Sequence, residues 1–319
     1  MTPQVSVVLP TRNRARSIGR SIESVLDQTF TDFELIIVDD HSTDATDDVM
    51  TRYLGDHRVR FVSSVRHGCA AARNVGVMLA RGRYVAFQDS DDEWLPRKLE
   101  KAVDALTQAG PQVGVLYTDM LAVDTEGRLG GFGAPDVERG VLINERKLDY
   151  QVCGIGIQSA VIRRECFDVV GLFDEELRRW IDLDLFIRLS DRYDFIRSRE
   201  ALVVYSHSSP ADCISNDRPA LVEARIRMLA KYEYRLRPHP RQFAMQYFHI
   251  AMAAGRSGRW MQAARFLAMA LATSPLPPIR AALRECGLQA RRAIGATRGL
   301  AQFGSDAGTH QEEPRRRTP

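Results

Sequence analysis

Residues 84–94 read YVAFQDSDDEW, an apolar run that breaks into three aspartates, Asp89, Asp91 and Asp92, within four positions. The run itself reads as a buried strand. Carboxylates packed this closely repel one another and raise each other's pKa. A chain that only had to leave a strand would use Gly, Asn or Ser. A bound cation offsets the repulsion, because clustered carboxylates at a strand end make a hard, all-oxygen site for Mg²⁺ or Mn²⁺. The competing reading of the same letters is a solvated acidic loop before a helix.

Upstream, VSVVLP (5–10) and FELIIVDD (33–40) are apolar without alternation, as strands buried on both faces are, and RVRFVSS (58–64) reads as a further strand. Between them ARSIGRSIESVLDQTF places Ile18, Ile22, Val25 and Leu26 on one helical face. AAARNVGVMLA reads as a second helix with Gly82 as its C-terminal stop, and a third is expected from about Pro96. This alternation predicts an α/β chain with a mostly parallel central sheet covered by helices. Ligands of such sheets bind outside the carboxyl ends of the strands. Three polar clusters, LPTRNR, VDDHSTD and QDSDDEW, would converge there. Neither G-x-G-x-x-G nor a P-loop follows the first strand, which argues against a glycine-rich phosphate cradle.

The second half is less regular. VGVLYTDMLAVD reads as a strand, GIQSAVIRRECFDVVG as a strand and short helix, WIDLDLFIRLSD as an amphipathic helix, and DFIRSREALVVYSH as an edge strand or hairpin. The Gly-rich segment 124–140 is either a mobile ligand-contacting loop or a plain hairpin connection. From about residue 217 to about 296 the pattern is helical, with one helix-turn-helix unit of tetratricopeptide type. One unit cannot stack into a solenoid. The expected division is 1–215 for the α/β domain, 216–298 for a helical appendage, and 299–319 for a disordered tail.

The 44 Lys and Arg against 41 Asp and Glu give a net charge of +3, too balanced for nucleic-acid binding through bulk charge. Five scattered cysteines without a C-x-x-C pair suit neither a disulfide framework nor a zinc site, and fit a reducing compartment. The N-terminus enters a strand directly, with no signal-peptide core, and no apolar stretch approaches the roughly 20 residues of a membrane span. The expected location is cytoplasmic. Arginines in the C-terminal third leave open a peripheral contact with the inner face of the membrane.

Taken together, four ordered segments carry a resemblance: residues 5–46, 67–100, 159–177 and the run DLDLFIRL. Over about residues 3–215 the chain resembles the inverting glycosyltransferase family 2, with the GT-A nucleotide-sugar fold. The resemblance implies a donor half over about 1–120 and an acceptor half over about 121–215. Pro10, Thr11 and Asn13 would border the base and ribose, and Asp39 would accept a hydrogen bond from the base with Asp40 beside it. Turn capping is the other use open to that aspartate pair. Arg73 would approach the phosphates, unless it is a surface arginine on its helix. Asp89, Ser90 and Asp91 form the family's D-x-D, with Asp91 the stronger metal ligand for Mg²⁺ or Mn²⁺. Asp92 would serve the metal shell or cap the next helix. Asp182 would be the catalytic base, with Ile181 standing where the family usually has Glu. A second departure is His67, where Asn is common. His207 would complete the metal or contact the diphosphate, or is an ordinary strand-end histidine. Trp94 and Trp180 read as packing residues rather than sugar platforms.

The implied partners are a nucleotide-sugar donor, UDP- or dTDP-linked, and a saccharide, lipid-linked or protein hydroxyl acceptor. Two other functions fit the same letters: a sugar-phosphate nucleotidyltransferase, and a non-catalytic nucleotide-sugar-binding protein of the same fold. Oligomeric state is not legible.

Overall fold

The computed structural model describes residues 2–123, 128–144, 149–206 and 217–282. Its first half repeats strand and helix as the apolar periodicity demands. Strand β1 (Val5–Thr11) is buried along its whole length, α1 (Ile18–Leu26) follows, and β2 (Phe33–Asp39) is again wholly buried. Then come α2 (Thr46–Met50), β3 (Val59–Ser63), α3 (Cys69–Leu79) and β4 (Tyr84–Phe87). β1 pairs in parallel with both β2 and β4, and β2 with β3. The carboxyl ends of β1, β2 and β4 therefore share one edge of the sheet.

The remainder runs β5 (Glu93–Trp94), α4 (Lys98–Gln108), β6 (Val113–Val123), β7 (Leu129–Phe132), β8 (Ile143–Asn144), β9 (Asp149–Tyr150), β10 (Ala160–Arg163), α5 (Glu165–Val170), α6 (Ile181–Ser190) and β11 (Asp194–Ser206). Then come three helices, α7 (Arg218–Leu236), α8 (Pro240–Arg256) and α9 (Trp260–Thr273), and residues 276–282 at the end of the described chain are again helical. The main sheet has the order β3-β2-β1-β4-β10-β6-β11-β5, with β7 on β6. β10 is antiparallel to both neighbours, so β6 and β11 run with β1–β4. The sheet is thus mostly parallel in strand direction and flanked by helices, as the sequence predicts.

Alternate residues of β1 feed two cores. Val5, Val7 and Leu9 pack with α1 and with Leu99 and Leu106 of α4. Val8 faces the other side, whose core takes in Leu185 and Phe186 of α6, Met228 and Tyr232 of α7, and Ile250 of α8. No helix of the described residues is long and apolar enough to cross a membrane.

Two local expectations are corrected. Gly82 is not a left-handed helix stop; α3 gives way at Ala80 to extended backbone, and Gly82 lies against β1. α6 is not a half-exposed amphipathic helix, because Leu183 through Ile187, Leu189 and Ser190 are all buried, sandwiched between sheet and α7. The third helix, expected from about Pro96, begins at Lys98. β11 is one long strand paired in parallel with β6; the two-residue β5 covers only Val203 and Val204, so most of its length lies at the sheet edge, one of the two readings expected. The Gly-rich segment enters a hairpin, β6 pairing antiparallel with β7.

A Cβ at residue 82 would stand 2.5 Å from the Ser6 N and 2.7 Å from the Val5 carbonyl carbon, both backbone atoms of β1. Gly82→Ala is therefore expected to destabilise the fold by about 1–3 kcal/mol through overpacking. The expected readout is a lower urea midpoint with an unchanged m-value.

Candidate active site

The loops after β1 and β2 tie each other down. Asn13 adopts a left-handed backbone (φ 52°), its N–H donates to Ser42 Oγ (2.9 Å), and its Oδ1 accepts from the Thr43 N–H (2.7 Å). Asp39 is buried and accepts from both the hydroxyl (2.5 Å) and the N–H (3.0 Å) of Ser42. The capping use of Asp39 is thus real. Pro10 and Thr11 lie in register with Val38 and Asp39, and Thr11 Oγ1 is buried with no hydrogen-bond partner. Asp40 points elsewhere, both of its oxygens accepting from the Gly68 N–H at 3.0 Å, at the start of α3.

The D-x-D segment sits beside this frame. Arg73 is buried, which excludes the surface-arginine reading. Its Nη2 donates to Asp89 Oδ1 (2.5 Å) and its Nη1 to Cys69 Sγ (2.9 Å), while Nε is buried without a partner. Ser90 is buried, and Asp91 lies 3.7 Å from the Arg14 guanidinium with about a fifth of its side chain exposed (22%). Burial, with Asp91 nearby, pushes the Asp89 carboxyl above the ordinary aspartate range despite the opposing pull of Arg73.

Asp92 has a structural role that the sequence did not signal. It is fully buried, accepting from the Ser206 N–H (3.0 Å) and the Gln158 amide (2.9 Å), and its carbonyl accepts from Ser21 (2.7 Å). Burial and the neighbouring Asp89 push its carboxyl well up. It is a staple joining the end of β4 to the end of β11 and does not cap the next helix, whose N-cap is Arg97.

α6 brings Asp182 to the same site. Trp180 enters the helix in a left-handed conformation (φ 63°), with the Arg225 guanidinium 4.3 Å over its ring. Two residues on, Asp182 accepts from the Leu183 N–H (2.8 Å). Burial raises the Asp182 carboxyl above its usual range; Arg73 opposes the rise and Asp89 adds to it. Arg73 therefore acts electrostatically on Asp89 and Asp182 together, and the two carboxylates act on each other. Ile181 packs against the core, and Asp184 is turned away into it. Trp94 is buried, its indole donating to the Gln158 carbonyl (3.1 Å), in keeping with a packing role. His207 lies outside the described residues.

Asp89 and Asp91 offer hard carboxylate oxygens whose mutual repulsion is already felt. That donor set fits Mg²⁺ or Mn²⁺, whose charge would reverse the repulsion.

With this geometry in view, comparison with known proteins is direct. The family model described as Glycosyl transferase family 2 matches residues 6–168. The chain belongs to glycosyl transferase family 2. A relative in this family is the UDP-Glc:alpha-D-GlcNAc-diphosphoundecaprenol beta-1,3-glucosyltransferase of Escherichia coli, 33% identical over 183 residues, 56% of this chain and 69% of that protein. The chondroitin synthase of Escherichia coli is 31% identical over 192 residues, 59% of this chain but only 27% of its own length. Among solved structures, S. aureus TarS 1-349 superposes with a TM-score of 0.53 at 19% identity, covering 83% of this chain and 90% of that one. The mannosyltransferase PcManGT from Pyrobaculum calidifontis, in complex with GDP-Man and Mn²⁺, gives 0.54 at 21% identity, covering 90% and 81%. These likenesses show the GT-A fold of family 2.

Sequence reasoning did not single out Arg14 and Gln158. Arg14 was within reach: parallel pairing of β1 with β4 places the residues after each strand side by side. Nothing local to Gln158 signals its bond to a carboxylate 66 positions away.

Proposed function

We propose that this family 2 member is a metal-dependent inverting glycosyltransferase. It moves a sugar from a UDP- or dTDP-sugar to a hydroxyl acceptor in cell-surface polysaccharide, glycolipid or glycoprotein synthesis. The observation that carries this reading is the placement of one arginine, Arg73, within the field of both the D-x-D aspartate Asp89 and the helix-start aspartate Asp182. A donor diphosphate and an acceptor hydroxyl would meet between those groups. UDP-GlcNAc in a TarS complex and the UDP-Glc donor in the name of the glucosyltransferase relative support a uridine donor.

In the proposed step the acceptor oxygen attacks the anomeric carbon from the face opposite the diphosphate. The new C–O bond forms as the old one breaks, the electron pair leaves with the diphosphate, and the configuration inverts. Asp182 takes the acceptor proton, a role worth typically about 10²–10⁴-fold. Asp91 and Asp89 would hold a divalent cation, which would supply charge neutralisation for the departing diphosphate. Thr11, with its unpartnered buried hydroxyl, and Pro10, Asn13 and Asp39 border the nucleoside. Arg73 orients Asp89 and keeps Asp182 ionisable.

Calorimetric titration of UDP and dTDP, with and without Mn²⁺, tests the donor site. Binding is expected to need the metal and to fall at least tenfold in Asp91→Ala. Equal nucleotide binding in wild type and variant would remove the D-x-D from the site. Release of nucleoside diphosphate from the donor is expected in turnover; pyrophosphate would instead support the nucleotidyltransferase.

A further inference from the structure

On the nucleoside side of the candidate active site, two histidines stack over a buried carboxylate. His41 follows β2 in a left-handed backbone (φ 59°), and His67 precedes Gly68 at the start of α3. Their ring centroids are 3.9 Å apart, at an interplanar angle of 31°. Both Nδ1 atoms face Asp40 Oδ1, at 3.5 Å from His41 and 3.9 Å from His67. Among the described residues, one potential ligand atom from each of the three lies within 4.8 Å of the others.

Three features mark this as a built arrangement. Asp40 is buried, and two bonds from the Gly68 N–H fix its carboxylate. Both imidazoles reach solvent, the His41 side chain 42% exposed and that of His67 71%, so an ion has an entry path. Ligands about 2.0–2.1 Å from a tetrahedral ion stand about 3.3–3.5 Å apart, which the His41 contact at 3.5 Å meets and the His67 contact at 3.9 Å exceeds, so an ion would draw the exposed His67 inward and splay the two stacked rings. A non-glycine residue held in the left-handed region is costly to maintain and calls for a reason.

We propose that Asp40, His41 and His67 form a second cation site, distinct from the D-x-D and selective for a borderline-soft divalent ion such as Zn²⁺, Co²⁺ or Ni²⁺. Two imidazoles and one carboxylate suit those ions, whereas the all-oxygen pair Asp89 and Asp91 suits Mg²⁺ or Mn²⁺. Bound there, the ion ties the loop after β2 to the start of α3. It thereby fixes the segment that carries Asp39. The inference stands on these three side chains and is independent of the transferase reading.

The test uses the full chain carrying Asp91→Ala, so that the oxygen site does not compete. Co²⁺ is titrated while visible absorption is followed. The expected result is one ion per chain, with d–d bands and no thiolate charge-transfer band, and with Zn²⁺ displacing it. His67→Asn, which installs the residue common in the family, and His41→Ala are each expected to weaken binding at least tenfold. Unchanged binding in His67→Asn would overturn the proposal, as would the absence of bound Co²⁺. A thiolate band, which would assign the ion to Cys69, would overturn it too.

Discussion

Asp182→Asn is expected to lower the transfer rate by about 10²–10⁴-fold while leaving UDP affinity within about twofold of wild type. The amide keeps the shape and the contact to the Leu183 N–H but cannot accept the acceptor proton. The same aspartate should set the acidic limb of the kcat/KM profile. Burial and Asp89 raise its carboxyl, so at a given pH less of it is ionised than in a free aspartate, and the limb moves to higher pH. Arg73 limits the displacement. Retained activity in Asp182→Asn, or an equal collapse of donor binding, would take the base role away from this residue.

Arg73→Met is expected to destabilise the fold by about 3–5 kcal/mol, since it leaves Asp89 without the charge that faces it. Removing that charge raises the Asp89 carboxyl further above its unfolded value. For a carboxyl whose folded pKa exceeds its unfolded pKa, the folded state binds the extra proton between the two values. Stability in that window therefore falls as pH rises. The deficit of Arg73→Met should accordingly be smaller at acid pH than at pH 7 in urea titrations. Adding Asp89→Asn should recover part of it, giving a non-additive double-mutant cycle. An additive cycle with a pH-independent deficit would mean that Arg73 acts only through packing on its neighbours.

How much of this was legible follows from the range of each interaction. β1, β2 and β4 announce themselves through unbroken apolar runs, and the clustering of LPTRNR, VDDHSTD and QDSDDEW at one edge follows from parallel pairing alone. Asp89, Asp91 and Arg73 could be named because a local pattern carries them. The structural role of Asp92 was missed because its partners, Ser206 and Gln158, lie 114 and 66 positions away, and in sequence it looks like its neighbours. Gly82 was misread for the same reason: its need for no side chain comes from β1, not from the helix before it. The burial of α6 depends on α7, whose packing face gives no hint of its destination.

That last contact bears on how the protein can be cut or recombined. Asp184, on the helix that carries Asp182, is a fully buried charge satisfied by Arg188 (2.9 Å) on its own helix and by Tyr232 (2.8 Å) and Lys231 (2.7 Å) from α7. A chimera joined in the stretch before α7 would strip that carboxylate of two of these three partners and open the core beneath the helix that carries Asp182. Swapping the C-terminal helices between relatives is thus not a modular exchange. A graft that works must carry the Tyr232 and Lys231 contacts with it, or replace Asp184 in the recipient.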